Sequence, residues 1–353
     1  FVGNPAKIEA KIVPENGYKF EPIKIEGFQR QIDFENIKRN IKAVYYLCRS
    51  GSRAKQILKE FKPDLVVGTG GYVSGPIVRK AAKMGIKTAI HEANAFAGVT
   101  TKMLSKDVDR IMLTVKETKN LDQSVMDKVV ITGLPVRKAF ELKTKSEAKR
   151  ELGFGEDEIC ILSAGGSLGS EVLNKEIAKV LKWYQDKNIN VNHIHSYGTY
   201  FEYKNYVDEL EAQGIDIKNN PRRLVKEYIN MPLCMAAADL VITRCGASTL
   251  AELEAVGRGA ILIPSPMVAE NHQYHNAMTL KRNKAAELIE EKDLTEESLI
   301  GVVEELIEKN KAKAEKKAAK RKENAERVNA MAQTSTKSIN SSAKRTVNDK
   351  NSK

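Results

Sequence analysis

No apolar run among the 353 residues approaches the ~20 that a membrane-spanning helix requires. Cysteine is scarce: Cys48, Cys160, Cys234 and Cys245 lie without the spacing of a metal or redox motif. They read as ordinary small apolar residues of a chain in a reducing cytoplasm. The start, Phe1-Val2-Gly3-Asn4, has neither an initiator Met nor a basic stretch followed by an apolar one. It reads as the end of a strand, with further sequence expected upstream. Both standard nucleotide signatures are missing, since there is no Gly-x4-Gly-Lys-Ser/Thr and no complete Gly-x-Gly-x-x-Gly followed by an acidic residue at the right distance. That argues against an ATPase and against a dehydrogenase. Asp107-Val108-Asp109 is the nearest approach to a metal-holding acidic pair, but it lies away from the glycine loops. It reads as surface charge, so neither a metal nor a cofactor is expected.

The net charge of +12 is unevenly placed. From Lys309 to Lys353 there are 14 Lys/Arg against 4 Asp/Glu, which leaves about +2 for the preceding 308 residues. The body is therefore no polybasic nucleic-acid binder, and the tail reads as a solvated helix that ends in disorder, with attraction to anionic lipid as the alternative. The length favours two domains.

Along the chain, short apolar runs alternate with helical stretches. Lys7–Val13 and Tyr18–Ile25 read as β-like pieces between prolines and glycines, and helices are expected over Asp33–Leu47 and Ser52–Phe61. Ile37, Ile41 and Val44 could face a core, or dip with Lys38, Arg39 and Lys42 into a bilayer surface. A strand at Leu65–Val67 runs into Gly68-Thr69-Gly70-Gly71, another at Lys87–Ile90 ends at His91-Glu92-Ala93-Asn94, and Val129–Thr132 leads to Arg137. A second series begins near Ile159 with the loop Gly165-Gly166-Ser167-Leu168-Gly169; it includes a short strand near Asp216. Its centre is Leu240–Ala277: strand, turn, helix, strand, and then the polar cluster Glu270 to Asn276. Helix starts after small-residue turns leave N–H groups and a positive dipole end for an anion. Thr249-x-x-Glu252 fits a capping box, yet Glu252 could equally hold a ribose diol. Two α/β halves of this kind predict two Rossmann-like domains, 1–145 and 146–308, with parallel sheets facing across a cleft, followed by the 309–353 tail.

As a set, Gly68-Thr69-Gly70-Gly71-Tyr72-Val73-Ser74-Gly75-Pro76, His91 to Gly98, Thr132 to Arg137, Gly165 to Gly169, Arg244 to Glu252 and His272-Gln273-x-x-Asn276-Ala277 resemble the MurG-type N-acetylglucosaminyltransferases over roughly residues 1–308. The resemblance implies a GT-B fold, UDP-GlcNAc as donor, and the undecaprenyl-diphosphate-linked muramoyl pentapeptide as acceptor. It also implies a peripheral place on the cytoplasmic face of the bacterial plasma membrane, on an anionic surface and beside other cell-wall enzymes. By motif, Ser167 would meet the diphosphate, the Ile229 backbone the uracil, Glu252 the ribose, and Gln273 with Asn276 the sugar hydroxyls. Asn94 and Arg137 would complete the donor site; Gly70, Gly71, His91 and Glu92 would line the acceptor side, the last two as catalytic candidates.

Two departures stand against the pattern. The family's opening strand and Gly-Gly-Thr-Gly-Gly-His loop, whose histidine is a candidate base, have no counterpart from Phe1 onward, so little or no transfer is expected of this chain. The family's Gly-x-Pro is Gly257-Arg258-Gly259 here. A non-catalytic UDP-sugar-binding or scaffold module, or a GT-B transferase with another lipid acceptor such as a diacylglycerol, are the competing expectations.

Overall fold

The computed structural model describes residues 1–26, 34–295, 297–305, 307–312 and 315–316. Most of the basic tail, Asp33, and the side chains of Ile37, Val44, Leu47 and Cys48 lie outside the described residues.

The chain opens with β1 (Val2–Gly3), α1 (Glu9–Glu15) and β2 (Glu21–Pro22), and β1 pairs in parallel with β2. Lys7–Val13 is thus mostly helix, not β. Asn4 makes the difference: its side-chain oxygen accepts the Ala6 N–H and its own N–H donates to Glu9, an Asx turn that starts a helix. The expected pair of helices is one 28-residue helix, α2 (Phe34–Phe61), which runs through Gly51. A mid-helix glycine costs about 1 kcal/mol, and burial of Ala43, Ala54, Ile57 and Leu58 outweighs it. Ile41 is 67% exposed and does not face the core.

The first sheet follows as β3 (Leu65–Gly68), α3 (Gly71–Lys83), β4 (Lys87–Glu92), α4 (Val99–Leu104), β5 (Arg110–Leu113) and β6 (Val129–Ile131), all parallel and in sequence order. Its core joins Ile57 and Leu58 of α2 to Ile77, Val78, Ile90, Ile111 and Leu113. Between Phe1 and Val2 on one side and Leu65, Val66 and Val67 on the other lies a cavity of about 380 Å³. Asp107 pairs with Arg79 and Asp109 accepts from Thr88, so both members of the acidic pair are held by neighbours.

After α5 (Lys145–Glu151) comes the second domain: β7 (Cys160–Ala164), α6 (Glu171–Asp186), β8 (Asn192–Ser196), α7 (Tyr206–Ala212), β9 (Arg223–Lys226), α8 (Met231–Ala237), β10 (Leu240–Thr243), α9 (Ala247–Val256), β11 (Gly259–Leu262), α10 (His272–Arg282) and β12 (Ala286–Leu288). The strand expected near Asp216 is displaced to Arg223–Lys226, where Leu224 and Val225 supply the apolar side chains. The sheet order β9-β8-β7-β10-β11-β12 is the doubly wound 3-2-1-4-5-6 pattern. Both faces are covered, which explains the unbroken apolar runs: Cys160, Leu162 and Val241 face one core, Ile161, Leu240 and Ile242 the other. The first of these cores already takes in Val136 and Phe140. Burial pushes the Cys160 and Cys245 thiols up to about 12, so both are packing residues.

One polar cluster interrupts the second core. The Ser163 hydroxyl lies 2.8 Å from both His193 Nε2 and His195 Nδ1, and all three residues are fully buried. Burial drives His195 down to about 3 and His193 well below its usual value. The unfolded chain binds protons near 6.5 and the folded one does not, so this contribution is complete above pH 6.5 and is lost as pH falls towards 3. Urea unfolding between pH 7 and 4 is expected to steepen by about 1.4 kcal/mol per pH unit per histidine. His195→Gln should remove one proton from that slope; an unchanged slope would show the acid sensitivity to lie elsewhere.

Candidate functional site

In a sheet wound both ways, ligands bind where the strand order reverses, outside the carboxyl ends of the strands. Here that point lies between β7 and β10. The loop after β7 carries Gly166 and Gly169 at φ +93° and +88°. It is zipped to the loop after β8: the Ser167 carbonyl accepts from both the backbone and the hydroxyl of Thr199, and Tyr200 N–H donates to Leu168 O. Gly169 and Gly198 let the backbones meet, since a Cβ on Gly169 would lie 2.0 Å from Tyr197 O. Ser167 is left exposed at the tip.

The loop after β10, Arg244-Cys245-Gly246, feeds α9. That helix begins at Ala247 with Gly246 as its N-cap and no side-chain cap. The capping-box reading is therefore corrected: Thr249 is the third helical residue and cannot cap the start. Glu252 is left for another partner, and the Arg137 guanidinium sits 3.5 Å away. Burial raises the Glu252 carboxyl above its usual range, and Arg137 pulls part of that back. Arg137 itself is 65% exposed and packs over Phe140, so it can turn towards a ligand. The Ile229 side chain is buried in the first of the two cores of this domain, with Cys160 and Phe140, which leaves only its backbone for a ligand.

Helix α10 begins after Glu270 and Asn271, both left-handed at φ +56° and +47°. The turn aims two carboxamides back at the β10 loop. Gln273 Oε1 accepts the N–H of Cys245 (3.2 Å) and of Ser265 (2.9 Å), so its NH2 end is what remains for a ligand. Asn276 is more committed: Oδ1 accepts Ala95 N–H (2.8 Å), and Nδ2 donates to Asn94 Oδ1 (3.1 Å) and Cys245 O (3.2 Å). Two of those bonds cross between the domains.

On the first-domain side, His91 and Glu92 belong to β4 itself rather than to the loop behind it. The carboxylate of Glu92, 5% exposed, accepts Asn94 N–H, Asn94 Nδ2–H, Gly98 N–H and the Thr101 hydroxyl. That surfeit of donors places Glu92 as the holder of this loop, not as an acid or base open to the cleft. His91 Nε2 lies 3.0 Å from Gly133 O. A carbonyl only accepts, so Nε2 carries the proton and Nδ1 is the basic nitrogen. Gly70 and Gly71, at φ +94° and +73°, open α3, which likewise has no side-chain cap.

Reasoning from the sequence passed over Arg244 as a site residue. Its guanidinium is 12% exposed and reaches Ser170 Oγ, Glu291 and Ile263 O, bracing the two loops that flank the switch point. An arginine directly after an apolar strand was the available signal.

The Glycosyltransferase family 28 N-terminal domain matches residues 1–113 and the family's C-terminal domain residues 160–333. The class is thus a two-domain GT-B glycosyltransferase. A UDP-N-acetylglucosamine–N-acetylmuramyl-(pentapeptide) pyrophosphoryl-undecaprenol N-acetylglucosamine transferase of Thermoanaerobacter sp. strain X514 is 40% identical over 308 residues, 87% of this chain and 82% of its own. One of the same description from Clostridioides difficile strain 630 is 39% identical over 309 residues, 87% of this chain and 73% of its own. The crystal structure of Acinetobacter baumannii MurG is similar at TM-score 0.64 and 26% identity, over 87% of this chain and 81% of that one. The chain belongs to this MurG family of N-acetylglucosaminyltransferases.

Proposed function

We propose that this site serves the transfer of N-acetylglucosamine from UDP-GlcNAc to a lipid-linked muramoyl pentapeptide, with inversion at the anomeric carbon. The observation that supports this most is Glu252, a half-buried carboxylate with no capping duty on the helix that begins at the switch-point loop. Uracil would meet the Ile229 backbone, the ribose diol Glu252, and the diphosphate the loop around Ser167. Gln273 would offer its NH2 end to the sugar. In this reading the acceptor hydroxyl gives its proton to His91 Nδ1 as it attacks the anomeric carbon, the bond to UDP breaks, and the leaving diphosphate is met by backbone N–H groups with no cofactor. Arg244 positions those loops.

The acceptor's lipid calls for a membrane surface. No described helix is long and apolar enough to cross one. Exposed Ile41 and Tyr45 on α2, with Arg49 bonded to the Tyr45 hydroxyl, form an apolar and cationic patch suited to lying on the cytoplasmic leaflet.

Calorimetry with UDP-GlcNAc tests the donor half directly. Glu252→Ala is expected to weaken binding roughly ten- to a hundredfold, the range for losing hydrogen bonds to a charged acceptor. The penalty should shrink for 2′-deoxyuridine diphosphate, which lacks one hydroxyl. Absence of binding to the unaltered chain at millimolar ligand would remove this reading.

A further inference from the structure

We infer that Phe96 and His275 are positioning residues, whose stack across the cleft holds Asn94 of the first domain on Asn276 of the second. The rings lie 4.8 Å apart at 15°. Phe96 lies within the loop that Glu92 fastens at Asn94 and Gly98; His275 immediately precedes Asn276 on α10. The stack therefore flanks the hydrogen bonds from Asn276 to Ala95 and Asn94. Beneath it the domains pack closely: the cavity bounded by Ala93, Ala95 and Thr114 on one side and Ala247 and Leu250 on the other measures only about 20 Å³, room for about one water. Burial, with Lys119 and Arg282 nearby, lowers the His275 pKa and favours a neutral, stacking ring.

The consequence is a continuous chain of contacts. Cys245 O, at the switch-point loop, accepts from Asn276, Asn276 donates to Asn94, and Asn94 donates to Glu92. A ring pair that fixes the Asn94–Asn276 contact thus fixes where the first domain stands relative to the β10 loop. That this shapes donor affinity rests on the donor site proposed above.

Amide exchange reads the latch without any ligand. Ala95 N–H is bonded across the cleft to Asn276, whereas Ala97 N–H is bonded to Lys119 O within the first domain. In the full chain, His275→Ala is expected to speed Ala95 exchange at least about fivefold and leave Ala97 unchanged, with His275→Phe restoring the slow rate. Phe96→Ala should reproduce the effect from the other side. UDP-GlcNAc affinity should fall roughly five- to tenfold in the alanine variants and recover in the ring-retaining one. Equal rates in all chains, Ala95 and Ala97 speeding together, or failure of His275→Phe to rescue would each overturn the latch. If the unaltered chain bound no UDP-GlcNAc, the donor reading and the affinity claim would fall together, and the exchange rates alone would decide the latch.

Discussion

Gly169→Ala is expected to cost at least about a hundredfold in UDP-GlcNAc affinity while the two domains stay folded. Two independent conflicts meet at this position. The backbone is at φ +88°, where a side chain is strained by about 1–3 kcal/mol, and the new Cβ would stand 2.0 Å from Tyr197 O. Backbone cannot swing aside as a side chain does, so the loops after β7 and β8 must part. Their parting breaks the bonds from Thr199 and Tyr200 to Ser167 and Leu168, and with them the shape offered to the diphosphate. Calorimetry and far-ultraviolet circular dichroism on the same sample decide it: an alanine variant that binds within tenfold of the parent would show that the loop does not need this approach.

The largest loss of stability is expected from Asp239→Ala. Asp239 opens β10 from below and gathers Lys145 Nζ and Lys149 Nζ, each at 2.7 Å, and Cys160 N–H at 3.0 Å. Burial opposes its charge, but the two lysines and the amide outweigh that and hold the carboxyl below its usual range. Lys149 is only 3% exposed, so removing its carboxylate leaves a buried cation with only the Glu156 and Glu158 carbonyls as acceptors. Breaking a buried pair from one side costs about 3–5 kcal/mol. Urea unfolding at pH 7 should show it, and the double replacement Asp239→Leu with Lys149→Met should recover most of it, because the one charge then left without its partner, Lys145, is 39% exposed and can turn to water. A single-variant loss under about 1 kcal/mol would mean that water reaches Lys149. The carboxyl's lowered pKa gives the sign with acid: its contribution is present above the unfolded value near 3.8 and disappears as pH falls through the folded one.

The alternation of strands and helices was legible because both faces of the second sheet are buried, which writes runs such as Leu240-Val241-Ile242 in unbroken apolar residues. The glycine loops were legible for a similar reason: the backbone angles at Gly70, Gly166 and Gly169 exclude most other residues. What failed were local signals overruled by neighbours. Lys7–Val13 carries β-like composition, but the Asx turn at Asn4 decides its conformation. Gly51 looked like a break, and long-range burial carried α2 through it. Thr249 and Glu252 had the spacing of a cap, and the helix starting two residues earlier than Thr249 took that role away. Within the site, residue types were readable but their present partners were not. Asn276 and Glu92 were named from motifs, and only the fold shows that their hydrogen-bonding groups hold other parts of the protein. The Phe96–His275 stack joins residues 179 apart in sequence, beyond the reach of any local pattern.

The cavity beside β3 leaves one edge of the first sheet open to pairing. Among the described residues no strand pairs with the outer edge of β3, and Leu65 and Val67 are 55% and 47% exposed there. Open apolar edges recruit strands from other molecules. This one is four residues long. It is preceded by Lys62-Pro63-Asp64, where proline offers no donor and two charges of opposite sign flank the entrance, and followed by Thr69-Gly70-Gly71, which turns the chain at once into α3. Brevity and flanking charge, rather than cover, are what guard that edge against intermolecular strand pairing.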